Sequence, residues 1–177
     1  MSLILSVLEQ GMIYAIMALG IYITYKILDF PDLTVDGSFP MGAALTCVLI
    51  AKGVNPLLTL PVSFLAGVAV GVLTGIIHVK LKVRDLLSGI IMMTALYTVN
   101  LRIAGRANFP IYNYQTIFDN DFVNKIFPAA LKPYRTVIVV LVITLITKYL
   151  LDAYMRTKSG FLLRAVGDND TIVTSLG

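Results

Sequence analysis

Residues 57–79 read LLTLPVSFLAGVAVGVLTGIIHV, and no charged side chain occurs from Gly53 to Ile77. A helix rises about 1.5 Å per residue, so a run of this length reaches across a hydrocarbon core of about 30 Å. No water serves the backbone there, so the run must satisfy its own N–H and C=O groups as a helix. It lacks the strict alternation that a barrel strand would show. Four further apolar stretches flank it: Ser2–Leu28, the shorter Ser38–Ala51, Leu86–Ala104 and Thr136–Tyr154. The expected architecture is an all-α, polytopic transmembrane helical bundle of about five spans, with residues 1–177 forming a single domain. Composition points the same way. Only 14% of the residues are charged and 58% are hydrophobic, whereas a soluble domain carries about 25% charge.

The net charge of +4 does not suggest nucleic acid, because the basic residues stand singly or in short groups between apolar runs. Short basic loops face the cytoplasm. Lys80–Arg84 and Arg156–Lys158 are the densest of them, and an even number of crossings separates them. The N-terminus is then expected outside, residues 26–36 inside and the loop 105–135 outside. Within that loop, Phe118, Phe122 and Ile126 recur every four residues, the spacing of a short interfacial helix over Thr116–Phe127. Cys47 is the sole cysteine, so neither an internal disulfide nor a cysteine metal cluster is available, and no metal site is expected.

Several features bear on function. Asp29, Asp32, Thr34 and Asp36 fall in a segment broken by Pro31, Gly37 and Pro40, directly before the short second span. Such a segment either lines a cavity, where carboxylates and free backbone meet a solute, or is an ordinary solvated loop. Asn100 and Arg102 form a polar pair near the outer end of the fourth span; they touch the pathway or, for Arg102, snorkel to the interface. Gly67, Gly71 and Gly75 make a small-residue stripe that lets another helix approach. Lys148 and Asp152 are spaced for a local ion pair. His78 is the only histidine, and structural use is the plainer reading. No G-x-x-x-x-G-K-[ST] phosphate loop occurs, so any ATP would be bound by another chain. In the tail, Asn169 is suited to start a helix with Asp170 in its first turn. Ile172, Val173 and Leu176 would share one face of that helix, able to enter a groove on a cytoplasmic partner.

The tail also spells Gly160, Arg164, Ala165, Gly167, Asn169 and, eight residues on, Gly177. This resembles the cytoplasmic coupling loop, roughly G-x-x-x-R-A-x-G-x-N, of bacterial ABC importer permeases in the branched-chain amino acid and ribose permease superfamily. Thr171, Ile172 and Val173 stand where that family often has alanines. The stretches Ile27–Pro40 and Met93–Asn108 resemble one branch of the superfamily, some of whose members are linked to aromatic amino acids. The resemblance implies a permease of the bacterial plasma membrane that is not itself an enzyme. Its implied partners are a cytoplasmic ABC ATPase holding ATP and Mg, an extracytoplasmic solute-binding protein and a second permease copy, as a homodimer. It also implies that this chain is the N-terminal part of a longer permease. An ion-coupled transporter or channel, using Asp29, Asp32 or Asp36, is the competing expectation.

Overall fold

The computed structural model describes residues 2–112, 114–119 and 134–169. Among them every regular element is helical. The chain divides into two compact units, Met1–Pro31 with Phe127–Gly177, and Asp32–Ile126.

In the first unit, α1 (Ser2–Tyr22) runs into a π-helical turn, Ile23–Ile27. The Leu28 N–H donates to Ile23 O at 3.0 Å and the Phe30 N–H to Thr24 O at 2.9 Å. Asp29 sits at φ 52°, a left-handed conformation that ends the helix. α1 packs on α5 (Arg135–Met155), where the Thr144 hydroxyl lies 2.8 Å from Val140 O and 3.4 Å from Met12 O. Both helices are long and apolar enough to cross a membrane. The expected pair is present on α5, with Lys148 Nζ 3.3 Å from Asp152 Oδ2. Both side chains are exposed, so the pair adds little stability. After α5 the chain turns at Thr157 into α6, Lys158–Asp168.

The second unit holds α2 (Val35–Ala51), α3 (Pro56–Leu81) and α4 (Asp85–Ala104). α3 and α4 are long enough to span, but α2 is not. Its 17 residues cover about 25 Å. α3 starts on a well-formed cap, with Asn55 Oδ1 accepting from the Leu57 N–H at 3.0 Å and Pro56 in the first turn, where its missing donor costs nothing. At its other end His78 Nδ1 lies 2.9 Å from Val83 O, which ties α3 to the turn before α4 and gives His78 the structural use expected of it.

Two glycines set the closeness of α2 to α4. A Cβ on Gly37 would stand 2.9 Å from Leu96 Cβ and 3.1 Å from Met93 Cα; one on Gly89 would stand 2.8 Å from the Leu33 nitrogen. Small residues at such points are how helices pack where no hydrophobic drive separates protein from lipid. Two hydroxyl relays bind α2 to α3. Thr74 donates to Val70 O at 3.1 Å, so its oxygen accepts the Thr34 hydroxyl, also at 3.1 Å. Likewise Ser63 donates to Gly42 O at 3.2 Å and accepts from Thr46 at 2.8 Å. We expect a Thr34→Val, Thr74→Val double-mutant cycle to give a coupling of about 0.6–2 kcal/mol, measured by denaturant unfolding in detergent; zero coupling would mean the relay is idle.

Among the described residues the glycine stripe meets no other helix. A Cβ added at Gly67, Gly71 or Gly75 would meet nothing within 4 Å. The interfacial helix expected over Thr116–Phe127 lies mostly outside the described residues, whose share of it, Ile117–Asp119, is one 3-10 turn.

Candidate functional site

The position of α2 decides what its first turn can do. Thr34, just before α2, meets Thr74, seven residues short of the end of α3. That places it about 10 Å in from the Leu81 end of the span. Leu33 meets Gly89, inside α4, and Gly37 meets Met93, Leu96 and Asn100. Within residues 32–36, Thr34 is 3% exposed and packs against α3, whereas Leu33 and Asp36 are exposed.

Each polar group of this segment has a distinct situation. Asp32 Oδ1 accepts from the Thr34 N–H at 2.8 Å, a side-chain turn that leads into α2. Asp36 lies in the first turn of α2, where the helix dipole favours a negative charge. Its carboxylate has no hydrogen bond or ion pair among the described residues. Pro40 has no N–H to give to the Asp36 carbonyl one turn back. Asn100 reaches across from α4 and donates its Nδ2 to Gly37 O at 3.0 Å. Its Oδ1 is buried and receives no hydrogen bond.

Asp36 and Asn100 share the wall of a cavity of about 660 Å³, which runs along α2 and α4 to the loop after α4. Most of the wall is apolar, from Pro40, Ala43, Ala44, Met93, Leu101 and Ala104. At the loop end, Arg106 lies over the Phe109 ring, 4.9 Å from its centroid, and both line the cavity. A concave, mostly apolar pocket with a few placed polar groups is the usual form of a small-molecule site.

Of the residues singled out from sequence, Asp36 and Asn100 meet at this cavity. Asp32 and Thr34 hold the start of α2 behind it. Arg102 is exposed and does not line it; Arg106, one turn further on, does. Asp29 belongs to the first unit and is exposed at the end of the π-turn. Sequence reasoning missed Gly89, Tyr97, Arg106 and Phe109. Three of these fall within or just after the distinctive stretch Met93–Asn108, but nothing in their spacing marked them.

The second feature is the tail. Residues 158–168 are helical rather than a loop, and Asn169 ends α6 with extended φ −165° and ψ 100°. The helix expected to start at Asn169, with Ile172, Val173, Leu176 and Gly177, lies outside the described residues. Thr157 caps α6 by accepting from the Gly160 N–H at 3.3 Å, and it donates to Tyr154 O at 2.6 Å. Both motif glycines are places of backbone contact. A Cβ on Gly160 would stand 2.6 Å from Met155 Cα, and one on Gly167 would run into the Ile27 carbonyl of the π-turn, 2.8 Å from its carbon. Helical spacing puts Phe161, Leu162, Ala165 and Val166 on the opposite side. Phe161 is 62% and Leu162 59% exposed, and Arg164 is exposed beside them.

The family described as branched-chain amino acid transport system / permease component matches residues 3–177. A tyrosine transport system permease protein of Clostridioides difficile (strain R20291) is 41% identical over the whole chain, which spans 56% of that relative's length. An uncharacterised protein of Rickettsia prowazekii (strain Madrid E) is 32% identical over the whole chain, which spans 59% of its length. No solved structure matches the chain.

Proposed function

This chain belongs to the branched-chain amino acid transport permease family, and from that membership we propose that it is part of the membrane permease of an ATP-driven importer carrying an amino acid. Residues 1–177 would form part of one permease domain in a bacterial plasma membrane. ATP and Mg would reside on a separate cytoplasmic ATPase, and an extracytoplasmic solute-binding protein would deliver the solute. The 41% identity to a tyrosine permease supports an aromatic amino acid as the solute. A second copy of the permease completes the assembly in this reading.

The observation that carries the proposal beyond family membership is the exposed apolar face of α6, beside Arg164. A face of this size in water is costly unless a partner covers it, and an amphipathic helix suits a groove. With α6 in the cytoplasm, the ATPase is that partner. Gly160 and Gly167 hold the helix against its own unit, while Ala165 lies towards the docking side and Arg164, exposed one turn from each glycine, borders it. The cavity then opens at the outer surface, where the loop after α4 is expected. Its inner end is formed by Asp36 and Asn100, within the depth of the spans. Asn169, Ile172, Val173 and Gly177 would continue the docking segment.

We expect Phe161→Asp with Leu162→Asp to abolish recovery of the ATPase when the tagged full-length permease is purified in mild detergent. The folded permease itself should still be recovered. Unchanged recovery of the ATPase would refute the docking role of α6. Because the Asp36 carboxylate lacks a partner among the described residues, an ion-coupled transporter is the second reading. Uptake that persists in vanadate but collapses with an uncoupler would favour it; the opposite pattern favours the importer.

A further inference from the structure

We propose that the inner end of the α2–α4 cavity is a binding site for a primary ammonium group borne on an aromatic or other bulky apolar body. The inference deepens the transport reading, on which it rests. Two acceptors belong to residues that line this end of the cavity, and among the described residues neither has a donor; Asp36 is exposed there, while Asn100 Oδ1 lies beneath the wall. The Asp36 carboxylate makes no hydrogen bond or ion pair among the described residues, and Asn100 Oδ1 is buried without a partner. Asn100 is fixed in this sense, because its Nδ2 is committed to Gly37 O.

A charged carboxylate at this depth in a membrane protein faces a pathway or a counter-charge. A buried carbonyl oxygen with no donor leaves a hydrogen bond unmade. An ammonium group answers both at once, since it carries one positive charge and three N–H donors. Oδ1 is covered by the wall, so its contact forms as the wall adjusts to the guest. A neutral or anionic head would leave Asp36 unpaired. The rest of the guest meets Pro40, Met93, Tyr97 and, towards the loop, Phe109, a wall suited to an aromatic ring. About 660 Å³ is ample for one such molecule.

Cys47, the only cysteine of the chain, lines the same cavity and supplies a reporter. The full-length permease with its ATPase is purified, and the rate of Cys47 alkylation by a small maleimide is followed by peptide mass spectrometry. Phenethylamine and L-phenylalanine should slow the reaction, and 3-phenylpropionate, which lacks the amine, should not. In Asp36→Asn, the phenethylamine concentration for half protection should rise by about tenfold to a hundredfold, the range for losing a hydrogen bond to a charged group. The unliganded alkylation rate of that variant, matched to the wild type, shows that the cavity is intact; should the variant not assemble, the comparison of amine with acid on the wild type decides alone. Equal protection by 3-phenylpropionate, protection by sodium or potassium ions alone, or no protection by either amine would each overturn the proposal. Failure of the importer reading would show separately, as uptake by the wild-type complex that does not depend on ATP.

Discussion

Gly167→Val in the full-length permease is expected to abolish transport while leaving the protein in the membrane. The side chain has nowhere to go, because its Cβ would overlap the Ile27 carbonyl at the end of α1. Backbone cannot rotate aside as a side-chain tip does, so α6 must lift away from the π-turn or unwind. The turn Ile23–Ile27 already has the wider hydrogen-bond spacing of a π-bulge, a form often found where helices serve function. If α6 carries motion from an ATPase, this contact is where that motion reaches α1. The expected signature is ATPase activity that persists but no longer responds to solute, with uptake down by about a hundredfold or more, the scale on which misplacing a required element acts. Gly167→Ala should lie between. Wild-type uptake in Gly167→Val would show that the contact is dispensable.

Gly89→Val should have the largest effect on folding. Its Cβ would stand 2.8 Å from the Leu33 nitrogen and 3.2 Å from Asp32 Oδ1, the atom that accepts from the Thr34 N–H. Accommodating it moves the start of α2 and disturbs that turn, and with it the Thr34–Thr74 relay. A buried overpacking costs about 1–3 kcal/mol and a lost hydrogen bond about 1 kcal/mol more, a large share of typical stability. We expect little folded protein by size-exclusion chromatography in mild detergent. Gly75→Val, on the unpacked stripe of α3, is the control and should be tolerated by the chain itself. Equal yields from the two variants would contradict the packing described.

The spanning helices were legible because hydropathy reports burial in lipid directly. Leu57–Val79 was expected and Pro56–Leu81 is found; Thr136–Tyr154 was expected and Arg135–Met155 is found. What hydropathy does not encode is depth. Nothing in Ser38–Ala51 says that the helix begins at Val35, alongside the middle of its neighbours, because that follows from Gly37 and Gly89 fitting against α4 and α2's own leading strand of residues. The sequence offered Gly67, Gly71 and Gly75 as the packing glycines, and among the described residues of that unit the close contacts lie at Gly37 and Gly89. A regular stripe advertises a surface, whereas single glycines tell only when the opposing backbone is known. The π-turn had no signal, since its residues are ordinary helix formers. Part of the site was readable: Asp36 and Asn100 stood out as polar groups in apolar surroundings. Arg106 did not, for in sequence it is one more basic residue in the loop after the fourth span. In the tail the motif residues were visible but their conformation was not. Glycines at 160 and 167 suggest a loop until the backbones of Met155 and Ile27 are seen against them.

The start of α2 within its unit also bears on how the protein is made. Emerging from the ribosome, α2 is too short to cross a bilayer alone and carries a carboxylate, Asp36, in its first turn. The groups that receive it, Thr74, Gly89 and Asn100, are synthesised later. Nascent chains arrested shortly after Ala51 should leave α2 open to protease or to a glycosylation tag, and chains arrested well beyond Ala104 should protect it; equal protection of both would refute this order. The expected order is then that the second helix waits at the membrane surface for the fourth, with integration of a completed trio rather than one helix at a time.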